Sequence, residues 1–190
     1  AVALSVVGLD FGLLTAMGAY LVQTGSFSLS SSMVALPVGV LIALILIMNE
    51  FPDWKGDSMA GKRTLVVRLG RKRAAVVVCM LFGLTGGLLL VNVVAGWIAP
   101  WGLIAFLAAP FAIHACRIAL RSHDDIPALV PANISVIQSH TYGNAWLVVA
   151  AIATVWPIVG LLLGAVLLVR QAMVMGQLVL LGKAALPGGG

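Results

Sequence analysis

Charge is scarce in this sequence: of 190 residues, 11 are Lys or Arg, six are Asp or Glu, and 62% are hydrophobic. A composition this apolar excludes a soluble globular domain, in which about a quarter of the residues are charged, and it excludes a disordered chain. The two cysteines, Cys79 and Cys116, are too few for a disulfide framework and lack the spacing of metal ligands. Alternating segments of about ten residues, typical of a membrane β-barrel, are not visible either.

Long apolar runs predict five membrane-spanning helices, because about 20 apolar residues are needed to cross a bilayer as a helix. The predicted spans are residues 2–22, 33–51, 74–96, 100–120 and 132–156. Residues 157–190 are also apolar but are interrupted by Arg170, Gln171 and Lys183, so they could form a sixth span or a tail on the membrane surface. We therefore expect an all-α polytopic transmembrane bundle over residues 1–156, with a break at Pro157.

The basic residues are distributed unevenly along the chain. Seven of the eleven lie in segment 49–73, whereas segments 23–32 and 96–100 hold no charge. Because Lys and Arg are enriched in cytoplasmic loops, loops 52–73 and 121–131 are predicted to face the cytoplasm. Basic residues beside membrane spans report topology, and we expect no nucleic acid as a partner.

One segment carries most of the polar chemistry, and it reads Asn49-Glu50-Phe51-Pro52-Asp53-Trp54-Lys55-Gly56-Asp57. Asn49, Asp53 and Asp57 are four residues apart, so on a helix they would lie on one face. Their oxygen atoms suit Mg²⁺, which usually takes one or two carboxylates and completes its shell with water and phosphate oxygens. The spacing therefore predicts a metal site that meets a phosphorylated substrate.

Basic residues follow this acidic segment at Lys62, Arg63 and Arg68. Gly61 gives the chain freedom to turn, so these residues could meet the negative charge of a diphosphate. The alternative is that the acids and bases only pair with one another in a solvated loop that anchors the spans.

Pro52 lacks a backbone N–H and is best placed in the first turn of a helix. We therefore expect the second span to end or kink near Phe51, with Asp53 and Asp57 opening a short new helix at the membrane surface.

Two sets of residues resemble a known family. Residues 49–57, with 60–70 (AGKRTLVVRLG), closely resemble the second aspartate-rich motif of the UbiA superfamily of membrane prenyltransferases. Residues 18–25, with 130–133 and His140, resemble the branch that prenylates 1,4-dihydroxy-2-naphthoate in menaquinone synthesis. The resemblance covers most of residues 1–156.

The resemblance implies a reaction and a set of roles. An isoprenyl diphosphate would bind through Mg²⁺, and its polyprenyl group would pass to an aromatic acceptor. Asp53 and Asp57 would be catalytic residues that bind the metal, and Asn49 would support them as a further ligand. The diphosphate would be bound by Lys62, Arg63 and Arg68. An integral protein of a bacterial or archaeal cytoplasmic membrane is expected.

The resemblance also implies that a part of the fold is absent from this chain. The family has nine helices and a first aspartate-rich motif in its N-terminal half, whereas the other acids here, Asp10, Asp124 and Asp125, are not framed like that motif. We therefore expect this chain to be the C-terminal portion of a longer protein and to be inactive alone.

Three further residues are candidates for the substrate cavity. Asp10 lies in the middle of a predicted span, where it would either line the cavity or be protonated and hydrogen-bonded. His140 and Tyr142 lie near the start of the fifth predicted span and could reach the cavity. Two other functions stay open: a transferase for a different aromatic or tetrapyrrole acceptor, and a non-enzymatic transporter or scaffold fragment.

Overall fold

The computed structural model describes residues 8–185, with side chains described up to residue 181, and all regular structure in that part of the chain is helical. It contains the helices α1 (Thr15–Thr24), α2 (Leu29–Met59), α3 (Leu65–Leu69), α4 (Arg71–Val94), α5 (Ala109–Ser122), α6 (Ile126–Val155) and α7 (Pro157–Ala185). A π-helical segment (Leu9–Leu14) precedes α1, and a 3₁₀ segment (Pro100–Ala108) leads into α5. The predicted all-α fold class is confirmed.

Within the described residues, four segments are long and apolar enough to cross a membrane: Leu29–Met59, Arg71–Val94, Pro100–Ser122 and Pro157–Leu181. The first three overlap the predicted spans 33–51, 74–96 and 100–120. The predicted span 132–156 is helical within α6, but its polar residues keep α6 out of this group. The number of spans therefore stays a prediction.

Helices α2 and α6 form the centre of the bundle. Helix α2 packs against α4 and α6, and α6 also packs against α5 and α7. The main core draws buried side chains from five helices, α2 to α6, among them Ile47, Phe51, Val78, Ala115 and Val136. This core lies just below the polar end of α2 and holds that end in place.

Helix α2 continues through Pro52 without a break and ends only at Met59, so the expected end of this span near Phe51 is wrong. The loop predicted over 52–73 is helical at 52–59, 65–69 and 71–73. Pro52 removes one backbone hydrogen bond, but Met48 and Phe51 are each 1% exposed in the core. Tertiary packing on the preceding turn outweighs the local cost of the proline, as membrane helices often allow.

The part of the predicted span 2–22 that the structure describes begins with the π-helical segment. Gly12 packs directly on Gly39 of α2, and a Cβ on Gly12 would collide with the Gly39 backbone. Gly8 makes a similar close approach to Gly39. Asp10 lies between the two glycines, so its exposed side chain is on the face turned away from α2.

In the C-terminal tail, for which the sequence allowed either a span or a surface segment, residues 157–185 form a helix that packs along α6, and residues 157–181 have the length and hydropathy of a span. Gln171 of α7 is 6% exposed and accepts a hydrogen bond of 2.7 Å from Trp146 Nε1 of α6. Its amide nitrogen donates to the carbonyl oxygen of Leu107. Polar contacts thus join α7 to two neighbouring segments inside the bundle.

Candidate functional site

The polar end of α2 carries three of the predicted site residues in one line. Asn49, Asp53 and Asp57 all belong to this helix, so their spacing of four residues places them on one face. Asn49 and Asp53 are exposed, whereas Asp57 is only 8% exposed. The acidic face therefore runs from an open amide and carboxylate to an enclosed carboxylate near the helix end.

The chain turns back at the end of α2 and brings Lys62 to Asp57, the last carboxylate of this face. Lys62 Nζ lies 2.8 Å from Asp57 Oδ1. The return depends on Gly61, whose φ of 71° is left-handed. The N–H of Lys62 donates to the Asp57 carbonyl at 2.9 Å and the N–H of Gly61 donates to the Ser58 carbonyl at 3.2 Å, which together form a Schellman helix end.

The acidic face changes the titration of Lys62. Its hydrogen bond to Asp57, the charge of Asp57 and a smaller effect of Asp53 raise the pKa of Lys62 above its ordinary value. A lysine whose pKa is raised on folding stabilises the fold fully below its unfolded pKa, and this stabilisation is lost as pH rises through the folded value. Lys62 is therefore charged at neutral pH.

Replacing Gly61 by Ala is expected to lower the free energy of unfolding by about 1–2 kcal/mol, the cost of a left-handed backbone for a residue with a Cβ. No atom lies within 4 Å of the position of that Cβ, so the cost is conformational rather than steric. Gly56→Ala is the matched control, because Gly56 also has open space but lies inside α2. Unfolding in mild detergent should show Gly61→Ala destabilised and Gly56→Ala not; equal effects would contradict this explanation.

Helix α6 contributes a residue to the acidic face that sequence reasoning did not assign. Asn133 Nδ2 donates a hydrogen bond of 3.0 Å to Asn49 Oδ1. The two residues are 84 positions apart, so no local spacing could have paired them. The resemblance of residues 130–133 to the naphthoate branch was the signal that pointed to this segment.

Glu50 was also missing from the predicted site. Its Oε2 accepts a hydrogen bond of 3.1 Å from the N–H of Val66, while Thr64 Oγ1 accepts one of 3.4 Å from the N–H of Val67. Both bonds satisfy N–H groups in the first turn of α3, which otherwise lack helical partners. The threonine before the apolar run 65–67 is a recognisable cap, but the Glu50 contact is not readable from local sequence.

The predicted diphosphate binders differ in their surroundings. Lys62 is paired with Asp57, while Arg63 and Arg68 are exposed and have no side-chain hydrogen bond or ion pair among the described residues. Arg71, by contrast, contacts two residues. Its Cζ lies 4.7 Å from the centroid of the Trp54 ring, and its Nη2 lies 3.0 Å from Asp124 Oδ1. These contacts tie α4 to α2 and to the connection between α5 and α6.

The three predicted cavity residues are not brought together with the acidic face by any described contact. Asp10 lies at the level of Gly39, well down α2 from Asn49. Tyr142 is 3% exposed and stacks on Phe111 with ring centroids 5.2 Å apart, and His140 is half-buried. Their cavity roles stay predictions.

An apolar cavity of about 120 Å³ lies deeper in the bundle, away from the acidic face, and its lining includes Leu41, Phe82 and Ser139.

The acidic face offers two carboxylates and one amide as oxygen donors. Among the described residues, no three His, Cys, Asp or Glu side chains form a group that could hold a metal ion. One oxygen of Asp57 is engaged by Lys62, whereas Asp53 is exposed. This donor set fits Mg²⁺ as a partial site, because Mg²⁺ commonly takes few protein ligands and fills its shell with phosphate oxygens and water.

Comparison with known proteins gives consistent matches. The model of the UbiA prenyltransferase family matches residues 2–137. A 1,4-dihydroxy-2-naphthoate octaprenyltransferase of Bacillus subtilis is 23% identical over 135 residues, which make up 71% of this chain and 43% of that protein. The Escherichia coli protein of the same name is 29% identical over 147 residues, 77% of this chain and 47% of that protein.

A third relative is a 2-carboxy-1,4-naphthoquinone phytyltransferase of Synechocystis, 30% identical over 137 residues, 72% of this chain and 44% of that protein. No solved structure matches the chain. The chain spans a little under half the length of these curated relatives. The matched residues include the whole acidic face, Lys62 and Asn133. The match shows that this chain, an integral membrane protein, belongs to the UbiA prenyltransferase family.

Proposed function

We propose that the protein containing this chain is a membrane prenyltransferase that moves a polyprenyl group from an isoprenyl diphosphate to an aromatic acceptor, 1,4-dihydroxy-2-naphthoate. The observation that carries the proposal is the acidic face of α2, with Asn49, Asp53 and Asp57 in line and Lys62 folded onto its end. The names of the relatives in Bacillus subtilis and Escherichia coli support the acceptor.

In this proposal each residue of the site has a role. Asn49, Asp53 and Asp57 hold Mg²⁺, and Lys62, Arg63 and Arg68 bind the diphosphate. When bound, Mg²⁺ would neutralise part of the diphosphate charge. The exposed arginines can bind an anion in bidentate fashion, because their guanidinium groups are not already paired with an acidic side chain.

The chemistry requires no protein nucleophile. The C–O bond between the allylic carbon and the diphosphate breaks, and its electron pair leaves with the diphosphate. An electron-rich aromatic carbon then attacks the allylic cation and loses its proton. The protein contributes positioning and electrostatic stabilisation of the leaving group, and in many enzymes such stabilisation accounts for most of the rate enhancement.

We propose that the polar end of the bundle faces the cytoplasm. The connections at that end, residues 60–64, 70 and 123–125, contain or adjoin the basic residues of the chain's two charged segments. By the positive-inside rule these loops stay on the cytoplasmic side, where a water-soluble diphosphate headgroup can enter.

A second polypeptide segment is needed to complete the site. The chain covers under half of its relatives and holds only one acidic motif, so we propose that an N-terminal half supplies further metal ligands. The test expresses this chain alone, and the complete reading frame that contains it, in membranes lacking the native naphthoate prenyltransferase. Prenylated naphthoate is measured with and without chelation of Mg²⁺.

We expect product from the complete frame, its loss on chelation, and none from the chain alone. If the complete protein prenylates only a different aromatic acceptor, that compound is its acceptor instead of 1,4-dihydroxy-2-naphthoate. Full turnover by this chain alone would contradict the need for a second half.

A further inference from the structure

Glu50 is the acid of segment 49–57 whose carboxylate reaches a neighbouring helix. It neighbours Asn49 along α2, yet its carboxylate accepts the N–H of Val66 on α3 at 3.1 Å. Thr64 Oγ1 accepts the next N–H, that of Val67, at 3.4 Å. A charged acceptor at a helix N-terminus also interacts favourably with the helix dipole.

Helix α3 needs such support because it has only five residues, Leu65–Leu69. A helix this short is marginal on its own, and tertiary contacts must hold it. Val66 is fully buried in the main core with Phe51 of α2, so the same residue is fixed by its side chain and by its N–H. The Glu50 contact thus fastens the first turn of α3, which Thr64 caps, to α2.

The basic segment 62–68 is therefore fastened to α2 at two points. At its start, Lys62 is bound to Asp57 at 2.8 Å. Near its end, Val66 is bound to Glu50, two residues before Arg68. Arg63 lies between these points and Arg68 lies just beyond them.

We infer that Glu50 is a positioning residue that holds segment 62–68, with Arg63 and Arg68, against the acidic face of α2. This inference rests on the proposed function for its consequence, because the arginines matter only if a diphosphate binds there. Glu50 acts through α3 and touches neither metal nor substrate.

The first test is limited trypsin digestion of the complete protein in mild detergent. Cleavage after Arg68, inside α3, is compared with cleavage after Lys62 and Arg63 in the preceding loop. Glu50→Ala is expected to raise this ratio about tenfold, because losing a capping acceptor frays a short helix. Glu50→Gln keeps an acceptor oxygen and should stay within about threefold of the native ratio.

Asp125→Ala is the matched control. Asp125 Oδ1 accepts the N–H of Ala128 at 3.2 Å and caps α6, not α3. This variant loses the same kind of bond and should leave cleavage after Arg68 unchanged.

The second test is steady-state kinetics of the complete protein. Glu50→Ala should raise KM for the isoprenyl diphosphate about tenfold with kcat within about threefold, which is the pattern for a loss of uniform binding. Glu50→Gln should restore KM, and a purely structural role would lower the amount of folded enzyme without this split.

Three results would overturn the inference. They are an unchanged cleavage ratio in Glu50→Ala, a Glu50→Gln variant as impaired as Glu50→Ala, and a collapse of kcat with native cleavage, which would make Glu50 a ligand. If the complete protein turns over no isoprenyl diphosphate at all, the proposed function fails, and the cleavage ratios still decide the role of Glu50.

Discussion

Replacing Asp53 by Asn in the complete protein is expected to lower kcat/KM for prenyl transfer on the order of 10²–10³-fold, the size typical for loss of one electrostatic contact in a preorganised site. The substitution keeps the shape of the side chain and removes one negative charge from the acidic face. Asp53 is exposed and has no side-chain bond among the described residues, so the fold should be unaffected. Initial rates with purified enzyme and varied Mg²⁺ measure the effect.

Asp124→Asn is the control for this prediction. Asp124 is an exposed acid at the same end of the bundle, where it pairs with Arg71 at 3.0 Å instead of joining the acidic face. Its activity should stay within about twofold of native, as expected for an exposed ion pair. Native activity in Asp53→Asn, or an equal loss in both variants, would remove Asp53 from the site.

Replacing Gln171 by Leu is expected to lower the free energy of unfolding by about 1–3 kcal/mol, because it takes the hydrogen-bond partner from one buried and one part-buried polar group. These are the N–H of the Trp146 indole and the carbonyl of Leu107. Helix α7 contacts mainly α6, so this loss falls on the attachment of the tail. Unfolding in detergent, followed by tryptophan fluorescence, measures it.

Gln177→Leu is the matched control, since Gln177 belongs to the same helix and is exposed. This change should leave stability unchanged or slightly increased. If Gln171→Leu were as stable as Gln177→Leu, the polar contacts of Gln171 would not hold α7 to the bundle.

The sequence predicted the helical fold because hydropathy is a local property that a window of about 20 residues records. The alignment of Asn49, Asp53 and Asp57 was predictable for the same reason, since helical spacing is also local. The helix end expected near Phe51 was a wrong prediction, because local propensity does not include the burial of Met48 and Phe51. Contacts between distant residues, such as Asn133 with Asn49, lay beyond any local pattern.

Helix α2 has 31 residues, and this one continuous helix contributes both to the main core and to the acidic face. With a rise of about 1.5 Å and a rotation of about 100° per residue, a slip of one position along its axis would turn the carboxylates away from their side of the bundle. The interlocking of Ile47 and Phe51 with neighbouring helices forbids that slip. The direction in which the two carboxylates point is therefore set by core side chains that lie about 3–15 Å before them along the helix axis.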